Sequence, residues 1–277
     1  MYDSLHHRAP AGPVGAMSAR AVLASELNGK GRISRIRTLR SDGPLVLRKS
    51  NPKGPEPLTR RRHDVARVAL AAGTAGPLGG DDYALDVNVG AGSTLVLQEV
   101  SAMLILPGQG GAQSKMAINI TVEQGATFVW WAEPVIAAHR CNHLHDVRIA
   151  LAPDARMILR EEILLGRHGE APGDFSSRLR ITRGGLALYD QQIAFGPSSD
   201  GWDGAAVLGG HRATGSVIAV DPDWVDAPPA AAPFDQNAAL TPLAGPGAAI
   251  GAVAPDSLEL RRLLMRGVTE LGPSWAT

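Results

Sequence analysis

Hydrophobic and polar residues alternate over short stretches along most of the chain, and the alternation recurs in related segments. VNVGAGSTLVLQE begins at Val87, ITVEQGATFVWWAE at Ile120 and IALAPDARMILREE at Ile149. A weaker fourth copy, LRITRGGLALYDQQ, begins at Leu179, so the copies start 33, 29 and 30 residues apart. Alternation of this kind is typical of β-strands, and the Gly or Pro-Asp in the middle of each copy predicts a tight turn between two strands.

A unit of two strands cannot bury its apolar side chains alone, so the copies are expected to stack on one another. We therefore predict a mainly β protein in which two-strand repeats form a supercoiled, solenoid-like β-helix with a few helices. A β-sandwich with turns at similar spacing is the alternative. Near the end, PDSLELRRLLMRG predicts a helix capped by Asp256 or Ser257, and its apolar stripe contains Leu260, Leu263, Leu264 and Val268.

Composition divides the chain into four segments. Residues 1–18 are rich in Ala, Gly and Pro without periodicity, which predicts a flexible tail. Residues 19–226 form the predicted β-repeat domain. Residues 227–251 are crowded with Ala, Pro and Gly and predict a long loop, and residues 252–277 are expected to form a helical segment that packs on the same domain.

Charge and cysteine usage limit the classes of partner and compartment. Lys and Arg number 27, as do Asp and Glu, so no overall field recruits nucleic acid or an anionic membrane. Residues 20–67 are locally basic and could dock an acidic partner or nucleic acid, or could be solvated edge strands, but no aromatic residue interleaves them. The single cysteine, the lack of a long apolar run and the lack of a secretory pattern at the start predict a cytoplasmic protein that binds neither membrane nor nucleic acid.

The first three copies each end in a carboxylate, and the carboxylates align between copies. Glu99 and Glu161 occupy equal repeat positions, and so do Glu133 and Glu162. Alternation places Glu99 and Glu133 on the same faces as apolar residues, so partial burial is expected. The row is either a polar passage for a cation, or a set of strand ends that reach solvent or form local salt bridges.

Four potential metal ligands, His139, Cys141, His143 and His145, recur at every second position. On a strand all four would project from one face, and imidazole and thiolate suit nickel, zinc or copper. Neighbours on one strand face are roughly 7 Å apart, too far for four of them to close on one ion. The cluster therefore predicts at most a weak or transfer site of two ligands completed from elsewhere, or an ordinary polar segment.

Sequence motifs for catalysis and nucleotide binding are missing. The glycine-rich stretch at residues 73–83 matches neither the dinucleotide fingerprint nor the phosphate-binding loop, and no serine lies in a nucleophile elbow. We therefore predict a protein that is not an enzyme. The alternative is a metal-dependent enzyme that uses His139, Cys141, His143 or His145 with a repeat-end glutamate.

Three ordered blocks resemble the urease accessory protein family UreD, also called UreH. They are PLGGDDYALDVNVGAGSTLVLQEVSA at residues 77–102, QGATFVWWAEPVI at 124–136 and LAPDARMILREEILLGRHGE at 151–170. The resemblance runs from about residue 28 to residue 195 and fades beyond. The positions that match the family pattern are Gly79, Gly80, Asp81, Glu133, Glu162, Gly166 and Arg167.

The resemblance implies a supercoiled β-helical scaffold without catalytic activity. Such a protein binds apo-urease and recruits a UreF-like helical accessory protein and a nickel-carrying, UreG-like GTPase, so that nickel reaches the urease active site. It implies no tightly bound cofactor and only transient nickel. Residues 71–76 depart from the His-Pro-Pro-Gly-like run that many members carry before the GGD turn, which weakens a ligand role for that loop.

Overall fold

The computed structural model describes residues 15–29, 33–51, 65–272 and 275. Most of the predicted N-terminal tail, residues 1–14, lies outside the described residues, as does the part of the basic region at residues 52–64. The first strand already begins at Ser18, the last residue of the predicted tail.

Eighteen strands and one α-helix make up the described chain. The first nine strands are β1 (Ser18–Leu27), β2 (Ser34–Arg40), β3 (Leu45–Lys49), β4 (Ala66–Ala72), β5 (Asp82–Val89), β6 (Thr94–Glu99), β7 (Met103–Ile105), β8 (Ser114–Val122) and β9 (Thr127–Trp131). The others are β10 (Val135–Ala137), β11 (Asn142–Leu151), β12 (Arg156–Leu165), β13 (Asp174–Arg183), β14 (Leu186–Phe195), β15 (Ala213–Val220), β16 (Ala232–Asp235), β17 (Ala238–Pro242) and β18 (Gly247–Ala254), followed by the helix α1 (Ser257–Glu270).

Two sheets face each other across the interior. The first sheet has the order β14-β13-β11-β8-β5-β1-β2. The second has the order β16-β17-β18-β15-β12-β9-β6-β4-β3, and the short strand β10 joins it by pairing with β12 and β7.

Successive copies of the repeat stack in parallel, as a solenoid requires. β5, β8 and β11 pair in parallel in the first sheet, and β6, β9 and β12 do so in the second. The chain crosses from the first sheet to the second at the central turn of each copy, with positive φ at Gly92 and Gly125, and it winds into about four coils. The predicted solenoid is confirmed, and the parallel pairing distinguishes it from a sandwich of antiparallel strands.

The fourth copy does not form a coil. Its two strands, β13 and β14, pair with each other as an antiparallel hairpin within the first sheet. Gly184 and Gly185 both have positive φ at the turn, which is the backbone requirement of a two-residue hairpin turn. The adjacent glycines therefore fold the chain back on itself and leave β14 at the edge of the sheet.

The prediction of a long loop over residues 227–251 is wrong. β16, β17 and most of β18 lie there, and β18 pairs antiparallel with β15 to extend the second sheet. The predicted helical segment also starts too early, because residues 252–254 complete β18. The strands are rich in Ala and Gly, so their fold depends on small side chains that pack closely, such as the buried Ala248 and Ala252.

The apolar residues form a core between the two sheets and a second layer outside the second sheet. Leu85, Ile118 and Phe128 are among the buried residues of the inner core. The helix α1 covers the outer layer, and its buried residues include the predicted apolar stripe. Its N-cap is Asp256, whose carboxylate accepts a hydrogen bond from the Glu259 backbone N–H at 2.9 Å. The second sheet is therefore buried on both faces where α1 covers it.

Candidate functional site

The repeat-end carboxylates fall into two rows on opposite faces of the second sheet. The inner row consists of Glu99 and Glu161, which follow the buried Leu97 and Leu159 of the inner core on their strands. The outer row consists of Glu133 and Glu162, which reach toward α1. The two rows are the same two pairs that the repeat alignment predicts, because side chains alternate between faces along a strand.

The outer row is neutralised by two arginines. Glu162 lies 2.8 Å from Arg160 and 3.0 Å from Arg261 of α1, and Glu133 lies 2.9 Å from Arg261. The Glu162 side chain has no exposed surface, and the Arg160 guanidinium stands 5.4 Å from the ring centroid of Trp131. Buried charges need such partners, so this row holds the helix on the sheet.

The inner row has no ion pairs: within the described chain, no Lys or Arg lies at ion-pair distance from Glu99 or Glu161, although the more distant charge of Arg160 acts to lower the pKa of Glu99. Burial raises the pKa of Glu99 to about 7, although its carboxylate accepts a hydrogen bond from the Glu133 backbone N–H at 3.1 Å. Burial also raises the pKa of Glu161, against the opposing effect of the Ser177 hydroxyl that donates to it at 2.8 Å. These two carboxyls therefore hold their protons more tightly than exposed ones.

Three cavities are lined by carboxylates of the inner row. A groove of about 1180 Å³ runs between β14 and the strands β15, β17 and β18, and Glu161 is part of its wall. A small cavity of about 20 Å³ is lined by both Glu161 and Glu99, and its other ionisable lining residues are His145, Arg160, Glu133 and Glu162. A third cavity of about 40 Å³ is lined by Glu99, Pro77 and Tyr83, among others. Glu161 is therefore common to the groove and the small cavity, and Glu99 is common to the small cavity and the third one.

The four predicted metal ligands do not come together. His139 is exposed and precedes Arg140, whose φ of 62° turns the chain before β11 begins. Cys141 is buried, and burial raises the pKa of its thiol to about 11. His143 and His145 face the interior, and burial lowers their pKa values to about 3 and about 4, so both imidazoles are neutral.

Across the described parts of the chain, no three His, Cys, Asp or Glu side chains are arranged to hold a metal ion. The alternative of a metal-dependent enzyme requires such a site, and the separation of His139 from His143 and His145 leaves it without one in the described residues.

A model of the family described as UreD urease accessory protein matches residues 17–277. The chain belongs to the UreD family. Urease accessory protein UreD of Streptomyces avermitilis is 40% identical over 255 residues, which cover 92% of this chain and 97% of that protein. The UreD protein of Streptomyces coelicolor is 39% identical over 251 residues, covering 90% and 95% of the two chains.

A protein named urease accessory protein UreD 2, from Saccharopolyspora erythraea, is 41% identical over 231 residues, covering 82% of this chain and 78% of its own. The family match continues to residue 277, so the expectation that the resemblance fades after residue 195 is wrong. The C-terminal strands and α1 therefore belong to the UreD fold.

Three positions of the UreD motif, Gly79, Gly80 and Asp81, have a structural role in the loop before β5. The buried Asp81 carboxylate accepts hydrogen bonds from the backbone N–H groups of Met17 and Leu78, each at 2.8 Å, and from the Tyr83 hydroxyl at 2.6 Å. Gly80 has a φ of 99°, and a Cβ on Gly79 would lie 2.4 Å from a backbone oxygen. This loop fixes the start of β1 against β5.

The other motif pair, Gly166 and Arg167, lies in the turn after β12. Gly166 has a φ of 82°, and a Cβ there would lie 2.3 Å from the backbone oxygen of Glu170. The exposed Arg167 forms an ion pair with Glu170 at 2.6 Å, which lowers the pKa of that carboxyl to about 2. Both positions therefore stabilise a turn and lie outside the small cavity between Glu161 and Glu99.

Sequence reasoning missed the arginines and the hydroxyl that distinguish the two rows. Arg160 is visible within the third repeat, and its position directly before two glutamates was a usable signal. Arg261 lies 99 residues from Glu162 and Ser177 lies on the opposite sheet, so no local pattern points to either contact. Separately, no helix of the described residues is long and apolar enough to cross a membrane.

Proposed function

We propose that this UreD protein helps to insert nickel into apo-urease by passing the ion through the interior of its solenoid. It acts in the cytoplasm as a scaffold with no turnover of its own, together with a UreF-like helical protein and a UreG-like GTPase. The observation that supports the passage is that Glu161 lines both the groove and the small cavity and Glu99 lines both the small cavity and the third one. Within the described chain neither carboxylate forms an ion pair, because Arg160 in the wall of the small cavity is paired with Glu162 at 2.8 Å.

The chemistry of the inner row suits a divalent cation that must bind and then leave. A cavity of about 20 Å³ has room for roughly one water molecule, so a hydrated ion has to exchange most of its water for protein ligands there. Carboxylate oxygens can replace that water. Because burial raises the pKa of both Glu161 and Glu99, the ion competes with protons for the same oxygens, and proton uptake favours its release.

The large groove supplies an open end for this passage. It is bounded by β14, an edge strand, and by β15, β17 and β18 of the second sheet. A nickel-carrying partner seated over the groove would release the ion beside Glu161, the first carboxylate of the inner row. The same seat would exclude other solutes from the groove during transfer.

The proposal is tested by activating urease in cells that carry the structural subunits, the other accessory proteins and nickel. We expect activity to require this chain, and we expect the double variant Glu99→Gln and Glu161→Gln to lower it roughly tenfold or more, the scale of losing metal-site groups. The exposed Asp200→Asn is the matched control. Full activity without the chain, or with the double variant at equal amounts of complex, would overturn the proposal.

A further inference from the structure

We propose that His145 is the nitrogen ligand of a transfer site for a late transition-metal dication, located in the small cavity between Glu161 and Glu99. The inference rests on the proposed passage and adds a residue that gives it selectivity. His145 is the one imidazole among the residues that line this cavity, and it shares the wall with both inner-row carboxylates. Arg160 also lines the cavity, but its charge is compensated by the ion pair with Glu162 at 2.8 Å.

The surroundings of His145 leave it short of hydrogen-bond partners. The residue is only 5% exposed, and its Nδ1 is buried without a partner in the structure. A neutral imidazole has one N–H and one lone pair, so in either tautomer the Nδ1 of His145 is left without a partner, as an N–H or as a lone pair. Such a group calls for an explanation, and a ligand role supplies one.

The neighbouring His143 is held in a similar environment. Its Nδ1 lies 2.8 Å from the Ser114 hydroxyl, while its Nε2 is buried without a partner. The rings of His143 and His145 are 6.0 Å apart, and both stack against Phe175 at 5.7 Å and 6.5 Å. Phe175 and Ser114 therefore restrict the ring positions before any ion arrives.

The ligand set determines which ions the site favours. Metal binding uses an imidazole nitrogen with a free lone pair, and the Nδ1 of His145 has no hydrogen bond that would compete for it. Imidazole suits nickel, copper and zinc, whereas magnesium and calcium prefer oxygen ligands. Carboxylates alone would pass both classes of ion, so the nitrogen of His145 distinguishes nickel from the abundant magnesium.

The sparse ligand set fits transfer better than storage. The imidazole of His145 and the carboxylates of Glu161 and Glu99 do not converge on one point, since no three such side chains among the described residues are arranged to hold a metal ion. The ion would keep a water molecule or exchange one carboxylate for the other as it moves from Glu161 to Glu99. Tight binding would oppose its release to urease.

The test uses the full-length chain loaded with Ni²⁺ alone and compares the wild type with His145→Gln and with the exposed control His168→Gln. We expect the nickel X-ray absorption spectrum of the wild type to show an imidazole ligand, and we expect His145→Gln to remove it and to weaken nickel binding roughly tenfold. His168→Gln should change neither quantity. Binding of Mg²⁺, measured by competition, should be much weaker than binding of Ni²⁺ to the wild type.

An imidazole signal that persists in His145→Gln would mean adventitious binding at exposed histidines and would overturn the inference. Wild-type nickel without imidazole coordination would also overturn it, and this result does not depend on whether the variant folds. These binding measurements are separate from urease activation. If the wild type activates urease but its nickel binding is unchanged by His145→Gln, only this inference fails. If the wild type does not activate urease, the proposed function itself is contradicted.

Discussion

The two faces of the second sheet carry the same residue type at equivalent repeat positions, yet the surroundings differ completely. On the outer face, Glu133 and Glu162 are paired with Arg160 and Arg261 and fasten α1 to the solenoid. On the inner face, no Lys or Arg of the described residues forms an ion pair with Glu99 or Glu161, and Arg160, which lines the same small cavity, only slightly opposes the effect of burial on the pKa of Glu99. A carboxylate row is therefore structural where arginines pair with it, and the proposed cation passage is assigned to the row where they do not.

The largest expected effect concerns the outer row. Glu162→Ala leaves Arg160 and Arg261 without their shared carboxylate, and breaking a buried pair in this way costs about 3–5 kcal/mol. Urea denaturation of the purified chain measures the loss. If the free energy of unfolding falls by no more than it does for an ordinary surface substitution, the outer row does not hold α1. The inner and outer faces would then no longer differ in their contribution to stability.

A smaller effect, of opposite sign, is expected on the inner row. Burial raises the pKa of Glu99 from its ordinary 4.5 to about 7 in the folded state, so this group lowers the free energy of unfolding as pH rises through that range. Glu99→Gln removes the buried charge, and the variant should exceed the wild type by roughly 1–3 kcal/mol at pH 8 and match it at pH 4.

Thermal unfolding at the two pH values tests this prediction, with Asp200→Asn as the exposed control. The low pKa values of His143 and His145 also make stability depend on pH, but they are present in both proteins and cancel in the difference. A Glu99→Gln variant that is less stable than the wild type at pH 8 would mean that Glu99 has a counter-charge after all.

The smallest effect is expected for the exposed ion pair on α1. Glu259 pairs with Arg262 at 2.6 Å, but both side chains are largely in water. Glu259→Ala should therefore lower stability far less than Glu162→Ala does, because solvent screens the attraction between the two charges. A loss comparable with that of Glu162→Ala, measured in the same urea series, would mean that helix charge in general, and not the buried outer row, determines the stability.

Much of this comparison could be predicted from the sequence because the repeat is local. Alternation over Val87, Ile120 and Ile149 gave the stacked strands, and equal repeat positions gave the pairs Glu99 with Glu161 and Glu133 with Glu162. Which pair faces the interior could not be deduced, because it depends on α1 and on Arg261, which lies 99 residues from Glu162.

Two errors have physical causes that the sequence conceals. Residues 227–251 form strands because small Ala and Gly side chains fit between β15 and α1, although their local pattern is that of a loop. The alternating His139, Cys141, His143 and His145 imply one strand face, but the turn at Arg140 comes before β11 and separates His139 from the others.

The measurement that tests the central claim most directly compares two adjacent residues of β12 that point to opposite faces. The nickel content of urease is determined after assembly with Glu161→Gln or with Glu162→Gln, per mole of complex recovered. We predict that Glu161→Gln lowers the nickel content severalfold while the complex forms normally, whereas Glu162→Gln lowers the yield of complex but leaves the nickel content of each complex unchanged. Equal nickel content with both variants, or a loss with Glu162→Gln alone, would contradict the assignment of the inner row to the cation and of the outer row to the fold.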